Sequence, residues 1–156
     1  MITINIPGFG DLNLKYALID FNGTLAVDGK LIQGISEPLN SLSKHLELHI
    51  ITGDGHGTAK AELEHINCKL TITPAENQAI TKREYLHQLN PKETVAIGNG
   101  RNDRFILKES ILGIAIIGEE GGAADALLSA DLIMPSIALA LKVLKNPQRL
   151  RASLRY

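Results

Sequence analysis

The sequence predicts an α/β fold, a parallel β-sheet with helices on both of its faces. Three observations predict it. Short apolar runs alternate with longer amphipathic stretches along most of the chain. The central runs are mostly apolar, as in strands covered on both sides. No repeat, low-complexity tract or linker interrupts the pattern, so a single domain over residues 1–156 is expected.

The elements follow in order. Met1–Ile6 and Asp11–Leu14 flank Pro7-Gly-Phe-Gly10 and read as a hairpin. Lys15–Ile19 is a buried strand that ends at Asp20. Leu25–Val27 and Lys30–Ile32 surround Asp28-Gly29, a strong two-residue hairpin signal. Ser36–His45 suits a helix capped by Ser36. Strands Leu46–Ile51, Lys69–Ile72, Thr94–Ile97, Gly113–Ile117 and Asp131–Met134 then alternate with helices Thr58–Ile66, Glu76–Leu89, Asn102–Ser110 and Ala123–Ala130. A last helix, Ser136–Lys145, stops before Pro147.

Composition excludes several classes of function. Apolar residues make up 44% of the 156 residues, enough for a core. A net charge of −1 and an aromatic content of 4% argue against a nucleic-acid surface. No apolar run approaches the roughly 20 residues that span a membrane. Met1–Ile6 alternates and meets Pro7-Gly8, unlike a signal peptide, so a cytoplasmic protein is expected. Cys68, the one cysteine, forms no internal disulfide and reads as a small buried residue before a strand. His45, His49, His56, His65 and His87 have no metal-ligand spacing on one helix. Lys142, Lys145, Arg149, Arg151 and Arg155 read as a solvated helix and frayed tail, or as a contact for an anionic partner.

In a parallel sheet, ligands bind beyond the carboxyl ends of the strands. Four segments converge there. Asp20-Phe-Asn-Gly-Thr24 follows the first parallel strand, and Thr52-Gly-Asp-Gly-His-Gly57 the second. Lys82 lies early in the helix after the third, and Gly98-Asn-Gly-Arg-Asn-Asp103 follows the fourth. A carboxylate such as Asp20, beside backbone amides freed by Gly23, can attack phosphorus while the amides and a cation hold the phosphoryl oxygens. Thr52 can donate a hydroxyl, and Lys82 a positive charge, to phosphate. Asn99 and Asp103 offer oxygens to a hard cation. Taken singly, each has a plain structural reading as a turn, cap or surface residue; their order along the strand ends is the signal.

These segments resemble the haloacid dehalogenase (HAD) superfamily from about Lys15 to Met134. Asp20-Phe-Asn-Gly-Thr-Leu25 resembles its first motif, Thr52-Gly-Asp54 its second, Lys82 its third and Gly98–Asp103 its fourth. The Thr-Gly-Asp and Gly-x-Gly-x-Asn-Asp wording is similar to the phosphorylation domain of P-type ATPases, with the greatest likeness to their soluble relatives. The resemblance implies a Rossmann-like fold with a hairpin flap after the first motif. It implies Mg²⁺-dependent phosphoryl transfer or phosphate hydrolysis through an aspartyl phosphate. Asp20, Asn22, Thr52 and Lys82 would be the catalytic residues, with Asp20 the nucleophile. Gly23, Thr52, Gly53, Lys82 and Asn102 would contact phosphate. Asp20, the backbone carbonyl of Asn22, Asn99 and Asp103 would hold the metal.

Two departures stand out. Phosphatases of the superfamily carry an acid two residues after the nucleophile, where this chain has Asn22, and an amide cannot shuttle that proton. Asn99 replaces an acid in the fourth motif, removing a charge from the cation site. A catalytically weakened HAD-like binding or regulatory module is therefore the alternative. The stretch Leu25–Ile51 has no room for a cap domain. An uncapped site would admit a small or macromolecular phosphorylated substrate, and a homo-oligomer neighbour can cover such a site in capless relatives.

Overall fold

The computed structural model describes all 156 residues. Its centre is a parallel sheet of six strands. These are β3 (Tyr16–Asp20), β6 (Glu47–Thr52), β7 (Lys69–Ile72), β8 (Thr94–Gly98), β9 (Leu112–Ile116) and β10 (Leu132–Met134), in the order β10-β9-β8-β3-β6-β7. The chain leaves β3 toward β6 on one side and reaches β8 on the other, so the order reverses at β3. Crevices at the carboxyl ends of such sheets form at this reversal. Two hairpins lie outside the sheet: β1 (Ile2–Ile6) with β2 (Gly10–Leu14), and β4 (Ala26–Val27) with β5 (Lys30–Leu31). Asp28 and Gly29, with φ of +50° and +76°, make the tight turn of the second.

The central strands are apolar because both faces are covered. On β3, Ile19 faces the larger core, with α1 (Ser36–Leu42) and α6 (Ile137–Leu144). Leu18 faces the smaller one, with α3 (Gln78–Leu89), α4 (Arg104–Glu109) and α5 (Ala124–Ser129). Asp20 is two residues beyond Leu18, so the period of the strand turns it to the α3 side.

The structure corrects several local expectations. The helix expected over Thr58–Ile66 is a single turn, α2 (Ala59–Glu62); beyond it Glu64 and Ile66 close tight turns on carbonyls three residues back. The helix expected from Asn102 starts instead as a 3₁₀ turn, Arg101–Asp103, because the Asp103 side chain folds back to accept the N–H groups of Asn99 and Gly100. Ser36 is the first residue of α1 and makes no side-chain cap; the cap position is Ile35. Cys68 is only half-buried. The tail is not frayed. Pro147 begins α7 (Pro147–Leu154), which buries Leu150 and fastens to the first hairpin through Arg151 Nε and the Asn5 carbonyl at 2.9 Å. No helix is long and apolar enough to cross a membrane.

His49 on β6 is the buried histidine. Its Nε2 meets Glu47 Oε1 at 2.7 Å and its Nδ1 meets the Tyr85 hydroxyl at 2.8 Å, with Tyr16 edge-on to the ring. Burial pulls its pKa below the ordinary 6.5, and Glu47 opposes this without winning. Below about 6.5 the unfolded chain therefore takes up a proton that the folded chain still refuses, and stability is lost as pH falls. His49→Gln keeps polar partners and cannot titrate. The margin in melting temperature by which wild type exceeds this variant should shrink between pH 7.5 and 5.5. A constant margin would show that His49 does not titrate on unfolding in that window.

Candidate active site

A cavity of about 220 Å³ opens at the carboxyl ends of β3, β6 and β8, and none of its ten lining residues is hydrophobic. Asp20, Asn22, Thr52, Gly53, Asn99 and Asn102 all line it. Lys82 and Asp103 lie behind it, each with 0% of the side chain exposed. Gly23 is not in this group. Its N–H donates to the Ala26 carbonyl at 2.8 Å, and it lines a separate, more apolar hollow beneath the β4–β5 hairpin. The backbone N–H groups of Asn22 and Gly53, by contrast, donate to nothing within the chain.

Lys82 organises the floor. Its Nζ donates to Asp20 Oδ1 and to Asp103 Oδ1, both at 2.7 Å. Asp103 Oδ2 accepts from Gly100 N at 2.9 Å and Asn99 N at 3.2 Å, so both of its oxygens are engaged inside the protein. Asp103, expected at the metal, anchors Lys82 and the loop of the fourth motif. Burial pushes the Asp20 carboxyl up to about 7; the like charge of Asp103 adds to this, and Lys82 pulls against it. Burial also works against the Lys82 ammonium, but the two carboxylates more than offset it and hold its pKa above the ordinary value.

The second motif is braced by its own aspartate. Asp54 N donates to Thr52 Oγ1 at 2.9 Å, which leaves the hydroxyl hydrogen of Thr52 free to point elsewhere. Asp54 Oδ1 accepts from Thr58 N and Ala59 N, both at 3.0 Å, and Thr58 Oγ1 donates to the Gly29 carbonyl at the hairpin tip.

One residue escaped sequence reasoning. Gln78, the first residue of α3, lines the cavity and accepts from Asn102 Nδ2 at 2.8 Å. A Cβ on Gly53 would lie 2.2 Å from Gln78 Nε2, so glycine at 53 is what lets the second and fourth motifs meet across Gln78. A helix-opening glutamine carries no signal of this in one sequence.

The donors present fit a hard cation. Two carboxylates share one ammonium, leaving the cluster one positive charge short. Asn22 Oδ1 is a buried oxygen without a hydrogen-bond partner. No group of three or more His, Cys, Asp or Glu side chains could hold a metal, so the donors would be Asp20, Asn22 and Asn99 with water. Mg²⁺, which keeps several waters, suits such a set.

Comparison with known proteins agrees with this fold. Solved structures of similar fold include the 3-deoxy-D-manno-octulosonate 8-phosphate phosphatase of Moraxella catarrhalis, in complex with magnesium, phosphate and KDO. Its TM-score is 0.72 at 14% identity, covering 90% of this chain and 91% of that one. The cobalt-bound deoxy-D-mannose-octulosonate 8-phosphate phosphatase (YrbI) of Haemophilus influenzae has a TM-score of 0.70 at 10% identity, covering 90% and 92%. The six-stranded parallel sheet is thus the fold of these phosphatases, and that of a putative HAD superfamily hydrolase of Legionella pneumophila as well, with a TM-score of 0.71 at 15% identity over 91% of this chain and 87% of that one. No family model matches the chain. It belongs to the same family as the uncharacterised protein MJ0073 of Methanocaldococcus jannaschii, 42% identical over 83 residues that make up 51% of this chain and 89% of that protein. The cadmium/zinc-transporting ATPase HMA2 of Arabidopsis thaliana is 25% identical over 156 residues, 95% of this chain but 16% of the ATPase.

Proposed function

We propose that this protein is a Mg²⁺-dependent phosphohydrolase that works through an aspartyl phosphate on Asp20. The observation that carries the reading is the Asp20 carboxylate at the floor of a wholly polar cavity, 2.7 Å from a lysine buried with it. An Asp20 oxygen attacks phosphorus, and the bond from phosphorus to the leaving-group oxygen breaks. The free N–H groups of Asn22 and Gly53 and the Thr52 hydroxyl hold the phosphoryl oxygens as charge moves onto them, while the Lys82 ammonium, buried behind the cavity, holds Asp20 and adds its positive charge from there. Mg²⁺, when bound, supplies the positive charge that the cluster lacks and keeps the Asp20 carboxylate ionised. With Asn22 next in line, the leaving oxygen takes its proton from solvent, and water then hydrolyses the aspartyl phosphate without a neighbouring base. Substrates with good leaving groups, such as aryl and acyl phosphates, suit this arrangement.

Between β3 and β6 the chain carries only the β4–β5 hairpin and α1, so no cap domain stands there over the cavity. The substrate is then a phosphorylated small molecule, as in the Moraxella catarrhalis complex with phosphate and KDO, or a phosphate on a larger partner. The test is a panel of aryl, acyl, sugar and nucleoside phosphates with and without Mg²⁺, together with mass analysis of the acid-quenched protein. Turnover that needs the cation, with phosphate on the Asp20 peptide, is expected. Phosphate binding without turnover of any of them would instead favour the binding-module reading, for which Asn22 in place of an acid is the specific argument.

The cation site gives a separate prediction. Asn99 brings a neutral oxygen, so Mg²⁺ binding by the wild type should be weak, and Asn99→Asp adds a full negative charge beside it. At about 4 Å such a charge is worth more than the about 1.4 kcal/mol that makes a tenfold change. Calorimetric titration should therefore show Asn99→Asp binding Mg²⁺ at least about tenfold tighter. Equal or weaker binding, in a variant whose 118–123 loop keeps its protection from hydrogen exchange, removes Asn99 from the cation site.

A further inference from the structure

Asn99 stands where three segments meet. Its Oδ1 accepts from Thr24 Oγ1 at 3.2 Å, and its Nδ2 donates to the Gly121 carbonyl at 3.1 Å. Its own carbonyl accepts from Ala123 N at 2.8 Å. Gly23 has a φ of +80°, and a Cβ there would lie 2.3 Å from Asn99 Nδ2, so the Asn22–Thr24 turn is pressed against the amide. The neighbouring loop, residues 118–123, runs beside the same turn, where a Cβ on Gly118 would lie 3.5 Å from the Gly23 carbonyl.

The two bonds of the side chain ask for opposite chemistry. A carbonyl can only accept, so the group facing Gly121 must be a donor; the group facing Thr24 accepts. An amide of this length provides both. An ionised carboxylate would set an oxygen against the Gly121 carbonyl, and an apolar side chain would leave that carbonyl unpaired and Thr24 Oγ1 with Asp20 Oδ2 as its one remaining partner. The residue that looks like a weakened metal ligand is thus the one type that closes this contact.

We propose that Asn99 is a positioning residue, a latch whose amide nitrogen fastens the 118–123 loop to the turn that carries Asn22. The turn holds the free Asn22 N–H and the unpartnered Asn22 Oδ1 in the cavity, and Thr24, which reaches both Asn99 and Asp20 Oδ2, at 3.3 Å, ties it to the nucleophile. Releasing the latch lets that turn drift from Asp20. A shift of about 1 Å in a reacting constellation can cost on the order of 100-fold in rate. The role is compatible with a cation on Oδ1, because the donor is the other end of the amide.

The test is hydrogen exchange on the metal-free protein, with kinetics beside it. In Asn99→Leu, the N–H groups of Gly121 and Ala123 and those of the Gly23–Ala26 turn should exchange together, about tenfold faster or more, while β8 keeps its protection. Should that variant not fold, Gly23→Ala probes the latch from the other side: its Cβ displaces the amide, and the distant 118–123 loop should still loosen. Protection of that loop left unchanged in the folded variant overturns the latch. The kinetic arm rests on the proposed phosphohydrolase activity, and the exchange arm does not. At saturating Mg²⁺, well below the melting temperature, kcat per folded molecule should fall about tenfold or more, with KM for an acyl phosphate changed much less. An unchanged kcat in a loosened variant overturns the positioning role. A wild type without turnover sinks the catalytic reading and leaves exchange alone to decide the latch.

Discussion

Asp20→Asn should abolish turnover and leave no phosphate on the protein. Removing a covalent nucleophile costs roughly 10⁴–10⁶-fold in rate, and the amide that replaces it is a poor nucleophile. The fold should survive. The amide oxygen still accepts from Lys82, and the ammonium no longer serves two buried carboxylates, Asp20 and Asp103, at once. Circular dichroism and melting should match or exceed the wild type, and inorganic phosphate should still bind, since Thr52 and the N–H groups of Asn22 and Gly53 are untouched. This pairing separates loss of chemistry from loss of structure. Full turnover in Asp20→Asn would mean that the nucleophile lies elsewhere. Lost turnover together with lost phosphate binding would mean that Asp20 shapes the cavity rather than attacks within it.

The fold was legible where burial is two-sided. β3, β8 and β9 read as nearly unbroken apolar runs because helices cover both faces of the sheet, and the tight turn at Asp28-Gly29 was legible because two positive φ values demand such residues. Order along the chain also brought Asp20, Thr52, Asn99 and Asn102 to one rim, because parallel strands present all their carboxyl ends on one side. What stayed hidden depends on side-chain direction. The residues of α3 that are buried are Lys82 and Leu86, so a lysine stands where the apolar stripe of an ordinary helix would show. From the sequence Lys82 could equally be a solvated helix residue; its burial follows only once Asp20 and Asp103 are seen on either side of it. Asp103 and Gly23 were assigned by motif to metal and phosphate, yet a motif does not say which way a carboxylate folds or which carbonyl an N–H meets. The basic tail read as frayed because only Leu150, buried, and Leu154, partly buried, anchor α7 among its polar and basic residues.

Asn22→Asp should increase hydrolysis. Bond formation by Asp20 takes no proton from residue 22, but the bond cleavage coupled to it and the hydrolysis that follows each move one: the leaving oxygen gains a proton as its bond to phosphorus breaks, and the water that cleaves the aspartyl phosphate must lose one. Asn22 can orient that water through its Oδ1, which has no partner inside the chain, but cannot accept its proton. General acid–base help is typically worth about 10²–10⁴-fold, and that is the gain to expect where the proton limits the rate. It should be largest for a poor leaving group such as an alkyl phosphate and smallest for an acyl phosphate, whose departure needs little protonation. Steady-state rates with both substrates, and burst kinetics with the faster one, test this. Wild type should accumulate phosphoenzyme with the acyl phosphate, and Asn22→Asp should shorten its lifetime and narrow the gap between the substrates. There is an opposing term, because a third carboxylate joins Asp20 and Asp103 around one lysine and raises the need for a cation. The comparison is therefore made at saturating Mg²⁺, with binding measured for both proteins. If both rates stay unchanged while Mg²⁺ still binds, the absent acid is not what limits this site, and a module that holds phosphate without turning it over becomes the better account.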